Sequence, residues 1–232
     1  RSHEKRVPER VFAQPSAAIA LFMRHLWATD GCLWIGQQHP AIYYATSSER
    51  LALDVQSLLL RLEINSRLRR TAQGSKGRDQ YHVIVSGKSD IESFITKVGA
   101  VGERRRSILD RIRVFISAIK ENTNRDIIPS EIWRTYVVPE AKKRSISARA
   151  LLAGIETAYC GTKIYSQNVS RARALRLAKL LESETLFQLA QSDVYWDEVV
   201  SVEADGETEV FDLTVEAHHC FVAEDILVHN SI

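Results

Sequence analysis

The sequence predicts an α+β protein made of three successive parts: a mixed helix and strand unit, a helical region and a β-rich tail. Apolar residues repeat with helical and strand spacings in turn through the first hundred residues, whereas residues 104–187 keep mostly helical spacing. From Val194 onward, runs of β-branched residues are typical of strands. The charge balance also differs between these stretches, which indicates separate modules.

The first predicted element of the mixed unit is a buried helix over residues 16–29. Ser16 follows Pro15 and is expected to be the N-cap of this helix. The helix is expected to end at Asp30, because Gly31 suits the left-handed conformation that is common just beyond helix C-termini.

Four short strands and two further helices complete this unit. The strands alternate apolar and polar residues between polar turns, and the helices have apolar residues three or four positions apart. The expected strands are 33–35, 41–45, 67–71 and 80–85, and the expected helices are 47–62 and 89–98. This helix–strand–strand–helix–strand–strand–helix order (αββαββα) predicts a sheet with one face free of helices.

The remainder of the chain is predicted to be helical and then β-rich. Within the tail, strands are expected over residues 199–202 and 210–215 on either side of a turn at residues 204–206. A last apolar run covers residues 221–228. No internal repeat of solenoid length is present.

The composition is that of an ordinary globular protein, since 45% of the 232 residues are hydrophobic and 26% are charged. No window approaches about 18 consecutive apolar residues, so no membrane span is expected. The three cysteines, Cys32, Cys160 and Cys220, are far apart and odd in number. A disulfide framework is therefore not expected, and a cytoplasmic location fits best.

The net charge of +2 conceals a strong asymmetry along the chain. Residues 180–232 include thirteen acids and no Lys or Arg, whereas residues 142–179 include nine basic residues and one acid. Residues 61–106 are basic as well. The basic stretches could neutralise nucleic-acid phosphates. The alternative is that each is simply a solvated face.

The tail contains the sequence His229-Asn230-Ser231, which suggests a self-cleaving peptide bond. The side-chain nitrogen of an asparagine can attack its own backbone carbonyl carbon, which forms a succinimide and breaks the following bond. An amide is a weak nucleophile and an amine a poor leaving group, so a proton donor such as His229 is needed and is worth about 10²–10⁴-fold. The hydroxyl of Ser231 can accept an acyl group before this cleavage.

The surrounding residues resemble the two C-terminal motif blocks of inteins, which excise themselves from host proteins. The similarity covers residues 210–223 and 227–231 at the spacing of those blocks, and residues 192–197 are similar to the segment that precedes them. The resemblance implies that residues 191–230 are the C-terminal part of a horseshoe-shaped β fold, the Hint fold, shared with hedgehog autoprocessing domains. Residues 231–232 would then be the first residues of the C-extein, the downstream host segment.

The resemblance also implies a role for each matching residue. Asn230 would cyclise, His229 would assist it, and His219 would shuttle protons near Asn230. Asp212 would assist transfer of the acyl group between the splice junctions, and Ser231 would be the acceptor nucleophile.

Two other interpretations of the tail residues stand beside this one. His219 and Asp212 could be structural polar residues of a β-sandwich. His218 and Cys220, next to His219, could suggest a metal site, but adjacent ligands do not form a tetrahedral cage. Inteins also need an N-terminal Cys or Ser and an early Thr-x-x-His block. This chain begins with Arg1 and shows no such block, so its N-terminal splicing half is expected to lie elsewhere.

Residues 22–31 resemble the second dodecapeptide motif of LAGLIDADG homing endonucleases. In that family two such helices pack together, and the acidic residue at the end of each binds a divalent metal that activates water for phosphate hydrolysis. The resemblance makes Asp30 a metal ligand and a catalytic residue, with Mg²⁺ as the fitting cation. Residues 5–8 resemble the Lys-x-Ile-Pro block that precedes this motif in inteins, which makes Lys5 a second catalytic candidate.

The resemblance further implies that residues 1–106 form half of a LAGLIDADG endonuclease whose open sheet lies in the major groove of DNA. Residues 107–190 would be a helical region with a helix-turn-helix character, whose second helix spans residues 166–179, although a helical linker with a basic face is equally consistent. A general-base role for the arginines at 104–106 is not expected, because arginine does not release a proton. The expected DNA contacts are Arg67, Arg69, Arg70, Lys76, Arg78, Arg171 and Arg173.

The function implied is that of an autocatalytic intein portion with an embedded metal-dependent endonuclease. Its partners would be its N-terminal half, the flanking exteins and a double-stranded DNA homing site; splicing would need no cofactor. Ser231-Ile232 resembles the start of Ser-Ile-Glu-Gln in bacterial replicative DNA helicases, which suggests the host. The alternatives are a DNA-binding protein that does not process itself, and a splicing intein with a purely structural endonuclease remnant.

Overall fold

A four-stranded antiparallel sheet organises the first hundred residues. In the computed structural model, its strands lie in the order β1, β2, β4, β3. Their bounds are β1 (Gly31–Ile35), β2 (Pro40–Thr46), β3 (Ser66–Thr71) and β4 (Gln80–Val85). All four strands predicted from the sequence are confirmed, each within two residues of the expected limits. The structure describes residues 1–36, 39–120, 126–158, 161–209, 211–216 and 219–229, with the backbone alone for Lys76.

Five α-helices accompany this sheet in the described part of the first unit. They are α1 (Glu9–Phe12), α2 (Ser16–Asp30), α3 (Glu49–Leu60), α4 (Lys88–Ser93) and α5 (Glu103–Ser117). The chain continues from α4 as a π-helical segment, Phe94–Val98. Apolar side chains of α2, α3, α5 and the sheet form one buried core around Trp27, Tyr44 and Phe94.

The two ends of α2 differ from the expectation. Pro15, and not Ser16, precedes the helix as its N-cap residue, and Ser16 is its first helical residue. Gly31 is not left-handed but extended, with φ −81° and ψ 137°. The reason for a glycine is instead close packing, because a Cβ at Gly31 would lie 2.2 Å from the Trp27 ring.

The two faces of the sheet differ in burial. Tyr44 and Val83, directly opposite each other on β2 and β4, are buried under the helices. Residues one position away point to the other face, because side chains alternate along a strand. Tyr43 and His82 on that face are only half-buried. The sheet therefore has an open face, as predicted.

A second set of helices has its own core in residues 126–191. The elements are β5 (Ile127–Ile128), α6 (Val138–Lys143), α7 (Ala148–Gly154), β6 (Val169–Ser170), α8 (Arg171–Leu180) and α9 (Glu184–Gln191). A π-helical segment, Trp133–Val137, leads into α6. Trp133, Ile155 and Leu181 are fully buried in this core. The helical character is confirmed, but the antiparallel β5–β6 pair was not expected.

The helix predicted over residues 166–179 begins later than expected. Val169–Ser170 is a strand, and Ser170 then caps α8 by accepting a hydrogen bond from the Arg173 backbone N–H at 3.4 Å. A serine that pairs in a strand and caps the next helix cannot itself lie inside that helix. Residues 171–179 of the predicted helix therefore lie in α8, whereas residues 167–170 are not helical.

The tail forms one β-hairpin among its described residues. Its strands are β7 (Cys220–Ala223) and β8 (Ile226–His229), joined by Glu224 and Asp225, which both have positive φ. The strand predicted at 199–202 and the described part of the strand predicted at 210–215 have no regular structure. A strand needs a hydrogen-bonded partner, and the structure describes none for these segments.

By their internal contacts, residues 1–121 form one unit and residues 122–232 another. The boundary predicted at residue 106 lies inside α5, whose Leu109 and Ile112 pack in the first core. Among the described helices, none combines the length and apolar character that crossing a membrane requires.

Candidate nucleic-acid interface and acidic site

Asp30 is the last residue of α2 and lies, exposed, at the end of the sheet where β1 begins and β2 ends. The phenol of the buried Tyr44 donates a long hydrogen bond, 3.5 Å, to Asp30 Oδ2. Burial, then the charge of Asp30 and this hydrogen bond, raise the pKa of Tyr44 to about 12. Tyr44 therefore keeps its proton at neutral pH and is a donor facing the Asp30 carboxylate.

The junction between α2 and β1 is held by two further side chains. The Trp27 ring covers Gly31 and packs on Tyr44 and Phe94 at centroid distances of 5.6 and 4.9 Å. Arg105, on α5, donates from Nη1 to the Trp27 carbonyl at 2.9 Å and to the Gly31 carbonyl at 3.2 Å. A cation on the last carbonyls of a helix is favourable. The backbone on both sides of Asp30 is thus fixed.

Lys5 lies at the same end of the sheet. The Ser48 hydroxyl, just beyond the end of β2, donates to the Lys5 carbonyl at 2.6 Å. Ser48 follows Tyr44, the Asp30 partner, by four residues. The structure therefore brings the two residues predicted for nuclease chemistry, Asp30 and Lys5, to one end of the first unit.

The end of the sheet at Asp30 offers one possible metal ligand but not a complete metal site. No cluster of three or more His, Cys, Asp or Glu residues able to hold a cation exists among the described residues. Asp30 alone offers one exposed carboxylate. Mg²⁺ commonly binds proteins through one or two carboxylates and completes its octahedral shell with waters and phosphate oxygens. Asp30 fits such a ligand, and in the described part of the chain the remaining ligands would have to come from groups other than a cluster of acidic residues around it.

The open face of the sheet presents two arginines beside a stacked pair of rings. Arg67 and Arg69 of β3 are exposed and lie opposite Ile84 and His82 of β4. The His82 ring stacks on Tyr43 with 5.2 Å between centroids and 19° between planes. Planar and cationic groups on an open surface suit contact with nucleic acid. Tyr43 and His82 were not predicted as site residues, although strand alternation places both on the face of Arg69.

The other basic residues predicted to contact DNA are placed differently. Arg70 lies opposite Tyr81, so it belongs to the helix-covered side of the sheet. Arg70 Nη2 pairs with Asp79 Oδ2 at 2.6 Å, and the hydrogen bond from Arg70 lowers the pKa of Asp79. The Arg78 guanidinium contacts the His3 ring. The side chain of Lys76 lies outside the described part of the structure. Arg67 and Arg69 are therefore the better placed members of this group.

Arg171 is engaged inside its own unit, which argues against the predicted DNA contact. Its Nε donates to Asp126 at 3.0 Å, Nη1 to the Leu189 carbonyl at 2.7 Å and Nη2 to the Val194 carbonyl. Only 17% of the side chain is exposed. All three guanidinium nitrogens are used, because Arg171 in the first turn of α8 lies close to Asp126, just before β5, and to the chain at α9 and shortly after it.

The neighbouring basic residues of α8 differ in exposure. Arg173 is half-buried, and its buried Nε has no partner among the described groups. Arg176 and Lys179 are exposed on the same helix. The basic surface of α8 therefore lies at Arg176 and Lys179 rather than at Arg171.

In the tail, the hairpin brings two of the predicted splicing residues together. The rings of His219 and His229 stack with 6.4 Å between centroids and 29° between planes. Cys220 is directly opposite His229 in the β7–β8 register. The carboxylate of Asp212 accepts a hydrogen bond from the N–H of Leu213, the next residue, at 2.8 Å. The predicted Asn230 and Ser231 lie outside the described residues, as does His218.

Comparison with known proteins identifies two similarities. Residues 17–99 match the LAGLIDADG-like domain family. The full length of the chain is 56% identical over 235 residues to the replicative DNA helicase DnaB of Rhodothermus marinus, and 50% identical over 235 residues to that of Synechocystis sp.. It covers 25% and 27% of those two proteins, so it spans about a quarter of the relatives it matches.

The chain also matches part of a second, more distantly related protein. The chain is 27% identical over 248 residues to a DNA gyrase protein of Mycobacterium gordonae and covers 40% of that protein. Segments similar to this chain thus occur both in replicative helicases and in a DNA gyrase subunit. The resemblance to LAGLIDADG proteins and to a segment of replicative helicases is confirmed, and it is consistent with an intein-type insertion in such a helicase.

Proposed function

We propose that this chain is the C-terminal portion of an intein inserted in a bacterial replicative DNA helicase, and that it severs the backbone before Ser231 by cyclisation of Asn230. The observation that carries this proposal is the full-length match to a quarter of the DnaB proteins, within which residues 17–99 match a LAGLIDADG-like domain. A nuclease-like domain inside a helicase is expected when the segment is an inserted element. The recurrence of the segment in a gyrase protein supports the same view.

The tail supplies the groups that the cleavage needs. The Asn230 side-chain nitrogen attacks the Asn230 carbonyl carbon, a five-membered succinimide forms, and the bond to the Ser231 nitrogen breaks. One proton leaves the attacking amide and one is delivered to the departing amine. His229 precedes Asn230, and its ring is stacked with that of His219. The two imidazoles are therefore suited to accept and deliver these protons.

Complete splicing requires an acyl transfer before this cleavage. The Ser231 hydroxyl attacks the ester or thioester carbonyl that joins the upstream extein to the first residue of an N-terminal intein half. An ester forms at Ser231, and the side-chain hydroxyl or thiol of that first residue leaves and takes up the proton that Ser231 loses. Asp212 assists this transfer. Cyclisation of Asn230 then releases the joined exteins, and the ester rearranges to an amide.

The test uses the chain with a reporter protein fused after Ile232, alone and mixed with the N-terminal half of the helicase intein. We expect release of the reporter, with a mass that places the cut between Asn230 and Ser231. Asn230→Ala abolishes release, and His229→Ala slows it by about 10²-fold or more. Asn65 is also followed by a serine, so Asn65→Ala is a matched control that leaves release unchanged.

The outcomes of this test separate the alternatives. A reporter that stays attached to the wild-type chain, even with the N-terminal half present, contradicts self-processing. It would instead support a DNA-binding protein whose tail only resembles an intein. Release that survives Asn230→Ala would contradict cyclisation as the chemical step.

A second candidate function is site-specific cleavage of DNA by the first unit. It is supported by the LAGLIDADG-like match, by the exposed Asp30 at the end of the sheet, and by Arg67 and Arg69 on its open face. In this proposal Arg67 and Arg69 bind the DNA and Lys5 stabilises the negative charge that develops on the cleaved phosphate. Asp30 and a second acidic residue would hold Mg²⁺, and the ion would supply an activated water for the hydrolysis when bound.

The cleavage assay uses the chain mixed with the N-terminal half of the intein and a DNA duplex that spans the insertion point in a helicase gene without the insertion. With Mg²⁺ we expect nicking or cleavage that Asp30→Asn reduces by about 10³-fold, since the metal-binding charge is lost. Asp110→Asn, an exposed acid on α5, is the matched control and retains activity. A wild-type chain that, together with its N-terminal half, binds this duplex but leaves it uncut would show that the nuclease is a structural remnant.

A further inference from the structure

Residues 5–7 are fastened to α3 by two buried polar side chains, here called the α3 clamp. The Ser48 hydroxyl donates to the Lys5 carbonyl at 2.6 Å, and Asp54 Oδ2 accepts from the Val7 N–H at 2.8 Å. Ser48 is 0% exposed and Asp54 is 3% exposed. The backbone on both sides of Arg6 is therefore bonded to the protein interior.

Both clamp residues have a second bond that orients them. The Ser48 hydroxyl also accepts from the Leu51 N–H at 3.2 Å, as the N-cap of α3. The other oxygen of Asp54, Oδ1, pairs with Arg50 Nε at 3.0 Å. A buried carboxylate is costly unless it is paired and hydrogen-bonded, and Asp54 meets both conditions. The clamp is thus preorganised before residues 5–7 bind to it.

The clamp fixes a segment that would otherwise be poorly ordered. Extended segments outside helices and sheets usually fray unless tertiary bonds hold them. Here the Val7 side chain is also buried, at 3% exposure, whereas the Lys5 side chain is exposed. The backbone of Lys5 is therefore bonded to Ser48, while its exposed side chain extends into solvent where a phosphate could bind.

We propose that Ser48 and Asp54 are positioning residues that hold Lys5 for its action on DNA at the end of the sheet where Asp30 lies. This rests on the proposed nuclease function. A charged group contributes most to a transition state when its backbone is held in place before substrate binds. The clamp supplies that rigidity, and neither Ser48 nor Asp54 needs to contact the DNA.

The first arm of the test measures the clamp without DNA, by the rate at which trypsin cuts after Lys5 and Arg6. Asp54→Ala removes the acceptor for Val7, and Ser48→Gly removes the donor to Lys5 while it preserves most of the capping effect. We expect each variant to be cut about tenfold faster, because a local bond that opposes opening is lost. Asp54→Asn retains an oxygen acceptor and stays near the wild-type rate.

Arg50→Met is the matched control for this arm. It removes the ion pair of Asp54 but leaves both clamp bonds in place, and the Arg50 side chain is 65% exposed. Hydrogen exchange of α3 in every variant verifies that the helix remains folded. Equal trypsin rates for Asp54→Ala, Ser48→Gly and Arg50→Met would overturn the clamp.

The second arm asks whether the clamp acts through Lys5, by measuring DNA nicking with Lys5→Met and Asp54→Ala singly and combined. We expect Asp54→Ala to lower kcat about tenfold with little change in KM. We also expect Lys5→Met to lower kcat far less in the Asp54→Ala variant than in the wild-type chain. Fully additive effects would show that Asp54 acts only on stability. If the wild-type chain together with its N-terminal half does not nick DNA, the nuclease proposal and the positioning role of the clamp both fail, and the trypsin arm then decides only whether the two clamp bonds hold residues 5–7.

Discussion

Gly31→Ala is expected to produce the largest loss of stability in the first unit, about 3 kcal/mol. A Cβ at this position would lie 2.2 Å from Trp27 Cδ1 and 2.6 Å from the Trp27 carbonyl oxygen. Overpacking a core typically costs about 1–3 kcal/mol, and a contact with backbone places this case at the upper end. The Trp27 ring has no space to withdraw, because it is 1% exposed and packs on Tyr44 and Phe94.

Gly36→Ala is the matched control, since a Cβ at Gly36 would lie as close to another tryptophan, 2.2 Å from Trp34 Cη2. Trp34 is 51% exposed, so its ring can rotate into solvent. We expect Gly36→Ala to cost less than about 1 kcal/mol. Hydrogen exchange of peptides from α2 in increasing urea measures the stability of this unit alone. Equal losses for the two variants would contradict the packing argument.

The same substitution at Gly31 should affect chemistry as well as stability. Asp30 lies between Trp27 and Gly31 in a turn whose two carbonyls are bound by Arg105. A displaced Trp27 would move both acceptors and with them the Asp30 carboxylate. A glycine at position 31 is therefore needed both for the packing of Trp27 in the core and for the position of the Asp30 carboxylate.

The sheet could be predicted from the sequence because its signals are local. Strand alternation and polar turns located all four strands, and the αββαββα order predicted the open face that the structure shows. Which side chains are neighbours on that face could be determined only from the register of the strands. Only the pairing of Arg69 with His82, and of Tyr43 with Ile84, shows which side chains lie side by side.

Long-range partners explain the features that the sequence did not predict. The pattern around Gly31 indicated a helix end but not the aromatic ring that covers it. In the tail, Val199, Val200, Val202 and Phe211 have the composition of strands, yet they are 78–90% exposed. A β-propensity becomes a strand only when another strand pairs with it. Under the proposed intein function, the N-terminal splicing half would supply such a partner.

The contacts of Arg171 could not be predicted from the sequence either. Basic residues in α8 indicate a phosphate-binding surface, and nothing local distinguishes Arg171 from Arg176 on the same helix. The structure separates them, because Arg171 alone reaches Asp126, Leu189 and Val194. A charge count therefore predicts the character of a helix face, whereas the acceptors decide which cation remains available.

Arg171→Met is accordingly expected to destabilise the second unit by about 2 kcal/mol. The substitution keeps the apolar stem but leaves the part-buried Leu189 and Val194 carbonyls without their donor. A fully buried acceptor without a partner costs about 1–3 kcal/mol, so two part-buried acceptors together are expected to cost about 2 kcal/mol. Arg171→Lys should recover little, because one ammonium cannot reproduce the planar fork of a guanidinium. Hydrogen exchange should rise in α9 and in residues 193–197, where the tail begins.

Arg176→Met is the control on the same helix, and it should change the stability of the unit by less than about 0.5 kcal/mol, because Arg176 is exposed. Its effect should appear in DNA binding instead, as a lower affinity and a smaller salt dependence. The opposite pattern, with normal stability and weakened DNA binding for Arg171→Met, would restore Arg171 as a DNA contact. The two variants thus distinguish an arginine that joins three segments of its own unit from one that is available to a phosphate.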